Sequence, residues 1–112
     1  MLNTICAAFG SGYALYQNSS SNLSLSNNMY WVTPSASRLV YWGTNYSDIP
    51  SLQAASGTDA NSVKQDPGFV SSSNLHLQAG NNLGTPVAEV SDDFDGESRD
   101  GANPDIGADE AP

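Results

Sequence analysis

The feature that most constrains the fold is the acidic stretch from Glu89 to Glu110, which reads EVSDDFDGESRDGANPDIGADE. Its carboxylates are closely spaced and have a single counter-charge, Arg99. Glycine and proline recur within the stretch, so the backbone must turn repeatedly. A run of charge alone would form a disordered tail, but single apolar residues interrupt this one: Val90, Phe94, Ile106 and Ala108. The pattern predicts a folded loop anchored on the structure beneath it, either as a cap or as an ion site.

The composition favours a single all-β domain. A chain of 112 residues corresponds to one domain or to a part of one. Only 13% of the residues are charged, whereas about 25% is usual, and the polar residues are mainly serine, asparagine, threonine, glutamine and glycine. This composition is poor in strong helix formers. It is common in secreted bacterial all-β proteins, so we expect an extracellular or cell-surface location.

The net charge of -9 narrows the choice of partners. No acid precedes Asp48, and the chain holds only 3 Lys and Arg residues. Phosphate binding needs clustered basic residues, which argues against nucleic acid and anionic membrane surfaces. Cations and neutral polymers such as polysaccharides suit the charge better. No stretch approaches the roughly 18 apolar residues of a membrane span.

Short apolar runs separated by polar turns predict β-strands in the first part of the chain. These runs are Asn3–Phe9, Tyr13–Tyr16, Leu23–Leu25, Met29–Val32 and Arg38–Trp42. Comparable runs recur at a spacing on the order of 20 residues, at the low end of solenoid repeats. In a parallel β-solenoid, turn asparagines such as Asn28 stack through their side-chain amides. On spacing alone, a β-solenoid and a β-sandwich are equally compatible with the sequence.

The segment Tyr46–Gly57 interrupts this pattern and predicts one short helix. Ser47 or Asp48 can cap its N-terminus, Pro50 falls in the first turn, and Gly57 ends it. Beyond the helix, the sequence predicts polar turns and two short strands, Phe69–Val70 and Leu75–Leu77.

An ordered set of residues runs from position 40 to 110: Trp42, Gly43, Gly57, Asp59, Asn61, Ser62, Asp66, Pro67, Phe69, Val70, Leu75, His76, Leu77, Asp93, Asp95, Gly96, Arg99 and Asp105 to Glu110. This order resembles the C-terminal end of bacterial secreted right-handed parallel β-helix proteins of the pectate-lyase-like superfamily, in particular the choice-of-anchor Q type. It departs from them at Gly80–Pro86, where such proteins commonly carry a Ser-Pro-Ala-Ile-like segment.

The resemblance implies an all-β fold: a partial right-handed parallel β-helix of a few coils, with one short α-helix and a long looped C-terminal cap. Residues 1–112 would be a single domain. Residues 1–44 would form the last coils of the solenoid. Residues 45–112 would form the short helix, the final strands and an acidic capping segment.

For function, the resemblance implies non-catalytic C-terminal coils and a cap of an extracellular or cell-surface β-helix protein, with a contribution to carbohydrate contact. The alternative is a fragment of a calcium-assisted polysaccharide lyase or hydrolase. No catalytic motif of the superfamily's lyases matches this chain residue by residue, so no catalytic residue is assigned.

The acidic stretch holds the candidate metal ligands. Asp93 and Asp95 alternate before Gly96, which lets two carboxylates converge on one hard cation such as calcium. The alternative is a turn in which these acids accept backbone N–H groups. In that case Arg99 would form a structural salt bridge with Asp95 or Asp105.

Aromatic rings are the candidates for carbohydrate contact, because their faces can stack on the C–H surface of sugars. We single out Tyr30, Trp31 and Trp42, and the alternative is that these rings belong to the core. His76 lies between two leucines, so on a strand it is predicted to point outward as a surface polar residue.

The N-terminal strand near Leu2–Phe9 is expected to present an uncovered parallel edge. A row of unpaired backbone N–H and C=O groups is a template for pairing with another chain. We therefore expect a homodimer through that edge, or an N-terminal segment folded over it.

Overall fold

The computed structural model of the chain describes residues 1–19, 23–34 and 38–112. In chain order these residues form β1 (Ile5–Gly10), β2 (Leu15–Gln17), β3 (Met29–Pro34), β4 (Val40–Trp42), β5 (Asn45–Tyr46), α1 (Ile49–Ser56), β6 (Val63–Lys64), β7 (Phe69–Ser71) and β8 (Asn74–Leu77). The strands are short because polar turns follow each apolar run, as the sequence predicts.

The strands form three small sheets that differ in direction. The first has the order β1–β3–β6 and is parallel, with Ile5 paired to Met29 and Met29 to Val63. The second has the order β2–β4–β5, in which β2 and β4 are parallel and β4 and β5 are antiparallel. The third is the antiparallel hairpin β7–β8. The last part of the chain, residues 78–112, runs in turns and is called the C-terminal segment below.

The predicted right-handed parallel β-helix is wrong. A β-helix stacks coil on coil into continuous parallel sheets, whereas here 8 short strands form three small sheets of mixed direction. One physical reason is a reversal at Gly43, whose φ is 72°. The Trp42 N–H donates to the Thr44 carbonyl at 2.9 Å, and this tight turn folds β5 back against β4. The described chain therefore has no stack of coils for its C-terminal segment to close.

The predicted short helix is confirmed as α1. Asp48 caps its N-terminus by accepting the Ser51 N–H at 2.9 Å, and a proline lies in the first turn. Gly57 ends the helix in the left-handed conformation, with φ of 66°. Its buried side chains, Ile49 and Leu52, pack into the core. Nothing helical in the described residues has the length and apolar character needed to cross a membrane.

The hydrophobic core lies between β3, β4 and α1. It consists of Leu25, Tyr30, Val32, Leu39, Val40, Trp42, Ile49 and Leu52. Alternation along β3 points Tyr30 and Val32 into this core and leaves Trp31 half-buried on the opposite side. The core also encloses the carboxylate of Asp59, which accepts hydrogen bonds from the hydroxyl of Tyr30 and the amide of Asn28.

Candidate metal centre

The C-terminal segment folds back onto β1 and β8 and carries most of the acids. The Asn3 side chain holds it near Thr85, donating to the Thr85 carbonyl at 2.7 Å and accepting the Thr85 N–H at 2.9 Å. The Gly107 N–H donates to the Asn3 carbonyl at 3.0 Å. Of the apolar residues predicted to anchor the segment, Ile106 is fully buried, whereas Val90, Phe94 and Ala108 are exposed.

Asp93 organises a turn within this segment. One carboxylate oxygen accepts the N–H groups of Asp95 and Glu97, each at 2.9 Å, and the other accepts the Glu110 N–H at 3.0 Å. The hydrogen bond from Glu110 is the main reason that the pKa of Asp93 lies below its ordinary value, and the other backbone N–H groups add to it. Asp93 therefore accepts backbone N–H groups in a turn, which is the alternative to metal binding that the sequence analysis describes.

Replacing Asp93 with asparagine is expected to change how stability depends on pH. The folded-state pKa lies below the ordinary 3.8, so the carboxylate stabilises the fold above that pH. This contribution is lost as the pH falls through the lowered pKa. Urea unfolding from neutral pH into acid should show a wild type that is more stable than Asp93→Asn at neutral pH, with the difference closing in acid.

The matched control for this measurement is Asp92→Asn. The Asp92 side chain is exposed and makes no hydrogen bond to the described part of the chain. The stability of Asp92→Asn should therefore depend on pH in the same way as that of the wild type. Parallel stability curves for wild type and Asp93→Asn would show that the turn does not depend on the carboxylate charge.

Arg99 bonds to oxygens of the segment itself. Its guanidinium donates to the backbone carbonyls of Asp105 at 3.0 Å and Gly107 at 2.6 Å, and it forms an ion pair with the Glu110 carboxylate at 3.4 Å. The structure thus brings Arg99 to Asp105 through the backbone, and among the described residues its ion pair is with Glu110, not with Asp95. Arg99 lies in the middle of the C-terminal segment, and its bonds hold the last residues of the segment against that middle part.

The candidate metal centre is formed by His76, Asp95 and Asp109. His76 lies on β8, Asp95 in the turn after Asp93, and Asp109 near the end of the C-terminal segment. His76 Nδ1 lies 3.1 Å from Asp109 Oδ1 and 3.3 Å from Asp95 Oδ2. One potential ligand atom from each residue lies within 4.8 Å of the other two. Three separated parts of the chain therefore aim donor atoms at one point.

Neighbouring contacts fix the orientation of this cluster. The second carboxylate oxygen of Asp109 accepts the Leu77 N–H at 2.7 Å, and the Asp109 side chain is only 8% exposed. The Phe94 ring packs against the imidazole of His76, with 5.0 Å between ring centroids. Asp95 and His76 remain 42% and 43% exposed, so the cluster is open to solvent on one side. A cation could enter from that side while Asp109 stays fixed behind it.

The donor types and two of the three separations between donor atoms fit a transition-metal ion such as Zn²⁺. Bonds of about 2.0–2.1 Å in a tetrahedral site place neighbouring ligand atoms roughly 3.3 Å apart, close to the two distances at His76 Nδ1. Calcium instead prefers six to eight oxygen ligands, and this cluster offers one nitrogen and two carboxylates. Three protein ligands would leave the fourth position of a zinc ion to water.

The sequence indicates one of these three candidate ligands. It marks Asp95 as a candidate, whereas it predicts His76 to be a surface residue and places Asp109 only within the acidic stretch. Alternation along β8 separates His76 from Leu77, which is buried, but Leu75 is 59% exposed, and the pattern does not show what lies outside the strand. The three residues come from distant positions, so no local spacing could have joined them.

The aromatic candidates are mostly part of the core. Tyr30 is 0% exposed and Trp42 is 8% exposed, so neither ring has a free face for a sugar. Trp31 is half-buried. Tyr13 and Tyr41 are half-buried as well, whereas Tyr16 is 57% exposed. The rings of Tyr16 and Tyr41 stack at 4.4 Å across β2 and β4. Carbohydrate contact stays a prediction, and it would have to use other rings than Tyr30 and Trp42.

Comparisons with protein families, curated proteins and solved structures found no match to this chain. The resemblance to pectate-lyase-like proteins therefore gains no support from them. The function has to be inferred from the geometry of the chain itself.

Proposed function

We propose that this chain is a non-catalytic binding module whose His76–Asp95–Asp109 cluster binds a divalent transition-metal ion such as Zn²⁺. The observation that carries the proposal is the position of His76 Nδ1, at 3.1 Å and 3.3 Å from carboxylate oxygens of two other parts of the chain. The ion would tie the C-terminal segment to β8.

Electrostatics supports a cation at this position. Asp95 and Asp109 bring two negative charges close together in a chain of net charge -9, and like charges at short range repel each other. A divalent ion neutralises both carboxylates at once. Because the ligands belong to separate segments, the binding free energy would also stabilise the fold.

The simpler alternative needs no metal. A protonated His76 can form an ion pair with each carboxylate, as the same two distances allow. The pair of His76 with Asp95, in which both side chains are partly exposed, contributes at most about 1 kcal/mol, and neither pair adds stability when zinc is supplied. Metal addition therefore separates the two interpretations.

Two of the three basic residues, Arg99 and Lys64, favour a binding role over lyase chemistry. Arg99 borders a cavity of about 720 Å³, but its guanidinium is already bonded to two carbonyls and to Glu110. Lys64 donates to the Ser47 carbonyl at 2.8 Å. Uronate lyases need a base and cations that are free to face the substrate, and these two residues bond to the protein instead. A location outside the cell stays a prediction.

Calorimetric titration of Zn²⁺ and Ca²⁺ into chelator-treated protein, with thermal melts in parallel, tests the proposal. We expect zinc to bind and to raise the melting temperature, since a ligand at 100 times its dissociation constant adds about 2.7 kcal/mol. His76→Ala and Asp95→Asn each remove a proposed ligand, so zinc binding should weaken by at least the roughly 10–100-fold that loss of a residue supporting a ligand costs. Both side chains are partly exposed, so these variants should fold.

Asp92→Asn serves as the matched control, because it removes a neighbouring acid outside the cluster, and its zinc affinity should equal that of the wild type. Absence of zinc heat and of a melting shift would overturn the proposal. So would zinc binding that His76→Ala and Asp95→Asn both leave intact, since it would place the zinc site elsewhere among the acids.

A further inference from the structure

Strand β1 is the outermost strand of its sheet, which has the order β1–β3–β6. In a parallel pair, alternate residues bond to the partner strand and the others aim their N–H and C=O groups outward. The Thr4 carbonyl accepts the Met29 N–H at 2.9 Å. Thr4, Cys6 and Ala8 therefore face β3, and Ile5, Ala7 and Phe9 present their backbone groups on the outer side.

The outer side of this strand already accepts a partner at one end. The Asn3 carbonyl belongs to the outward set and accepts the Gly107 N–H at 3.0 Å. Among the described residues, this coverage stops there, and no strand pairs with β1 on its outer side from Ile5 to Phe9. Phe9 is 63% exposed. An extended segment of backbone is thus left with open hydrogen-bonding groups and an exposed ring.

This edge lacks the features that keep edge strands apart. Natural edges are guarded by lysine, proline, bulges or inward charges. β1 reads ICAAFG, which contains no charge and no proline. Its register with β3 is continuous from Ile5 to Gly10, so no bulge bends it away.

Charge favours a second copy of this chain as the occupant. β1 itself carries no charged residue, so pairing it with the same strand of a second copy sets no like charges opposite each other. Asp109 borders the groove next to Ile5, but its carboxylate is bonded to His76 and to the Leu77 N–H. A basic partner would instead be attracted to the acids of the C-terminal segment.

We propose that the chain forms a two-fold symmetric dimer in which β1 pairs antiparallel with β1 of a second copy. An isologous contact must be self-complementary. Centring the pair on Ala7 places Ile5 opposite Phe9 of the other copy and joins all outward backbone groups in hydrogen bonds. The two parallel sheets then become one continuous sheet with no open edge at β1.

Sedimentation equilibrium of the full chain over roughly 1 µM to 1 mM tests this dimer, because mass action makes it concentration-dependent. Ala7→Pro removes an outward N–H and leaves the ladder to β3 intact, and Phe9→Lys sets a charge on the edge. We expect each variant to weaken dimerisation at least about tenfold. Val70→Lys is the matched control, because Val70 is a 50% exposed apolar residue on β7, and it should dimerise like the wild type.

Circular dichroism at low concentration shows whether Ala7→Pro is folded, and Phe9→Lys tests the edge independently because its side chain is exposed. A wild type that stays monomeric over the whole range would overturn the proposal. A dimer unaffected by both edge variants would place the interface elsewhere. Open-ended polymers would also overturn it, because an isologous pair closes on itself.

Discussion

Replacing Asp59 with alanine is expected to lower the free energy of unfolding by at least about 3 kcal/mol, because three buried donors lose their acceptor together at about 1–3 kcal/mol each. Asp59 is 0% exposed. Its carboxylate accepts the Tyr30 hydroxyl at 2.8 Å, the Asn28 side-chain amide at 3.3 Å and the Ser62 hydroxyl. Removing it leaves these donors buried and without their acceptor.

The donors around Asp59 belong to elements that the carboxylate holds in register. Tyr30 lies on β3 and Ser62 directly precedes β6, and the Asn28 N–H also donates to the Ser62 hydroxyl at 2.9 Å. Burial raises the pKa of the Tyr30 hydroxyl, with the hydrogen bond to Asp59 adding to the effect, so Tyr30 keeps its proton at neutral pH. The network therefore persists under ordinary conditions.

The backbone conformation of Asp59 adds to the loss of stability expected for Asp59→Ala, and it makes Asp59→Asn the informative control. Asp59 has φ of 71°, a region that aspartate and asparagine tolerate better than alanine. Asp59→Asn keeps the size, the backbone preference and one acceptor oxygen, so its loss should be about half as large. Urea unfolding followed by tryptophan fluorescence measures both variants. An alanine variant that loses less than about 1 kcal/mol would show that the network contributes little.

Local signals in the sequence predicted the helix well. The capping aspartate, the proline in the first turn and Gly57 each act within a few residues, and α1 runs from Ile49 to Ser56 between them. The strand β4 also lies within a predicted apolar run, and β1 extends one residue beyond its run, to Gly10. Such elements depend on contacts inside one short stretch, which is what a sequence pattern records.

The arrangement of the strands in sheets could not be predicted from such local signals. Whether β5 continues away from β4 or folds back depends on the left-handed conformation of Gly43, and an isolated glycine permits either direction. The sequence predicts polar turns beyond the helix, but it does not predict that Asp59 is buried against Tyr30. The contact between His76 and Asp109 could not be predicted either, because only the folding of the C-terminal segment brings the two residues together.

The second large effect is expected at Asp105, which fixes the C-terminal segment. It is 1% exposed. One carboxylate oxygen accepts the N–H groups of Asn81 at 2.5 Å and Asn82 at 2.6 Å, and the other accepts the Ala111 N–H at 3.0 Å. Charge-assisted hydrogen bonds contribute about 1.5–3 kcal/mol each, so Asp105→Ala should cost about 3 kcal/mol or more.

The loss at Asp105 should be local, in contrast to that at Asp59. The bonds of Asp105 join both ends of the C-terminal segment, while the core of β3, β4 and α1 lies outside it. In Asp105→Ala we therefore expect faster hydrogen exchange at Asn81, Asn82 and Ala111 and faster proteolysis of the segment, with the core amides still protected. Zinc affinity should also fall, because Asp109 belongs to the same segment.

Asp100→Ala is the matched control for Asp105→Ala. Asp100 also accepts two backbone N–H groups through one oxygen, those of Ala102 and Asn103 at 2.7 Å each, but it is exposed. Water can replace those bonds, so exchange at Asn81 and Ala111 should stay as in the wild type. Equal exchange in the two variants would mean that burial of the Asp105 carboxylate does not hold the segment in place. Uniform loss of protection in the core of Asp105→Ala would mean that the segment and the core unfold as one unit.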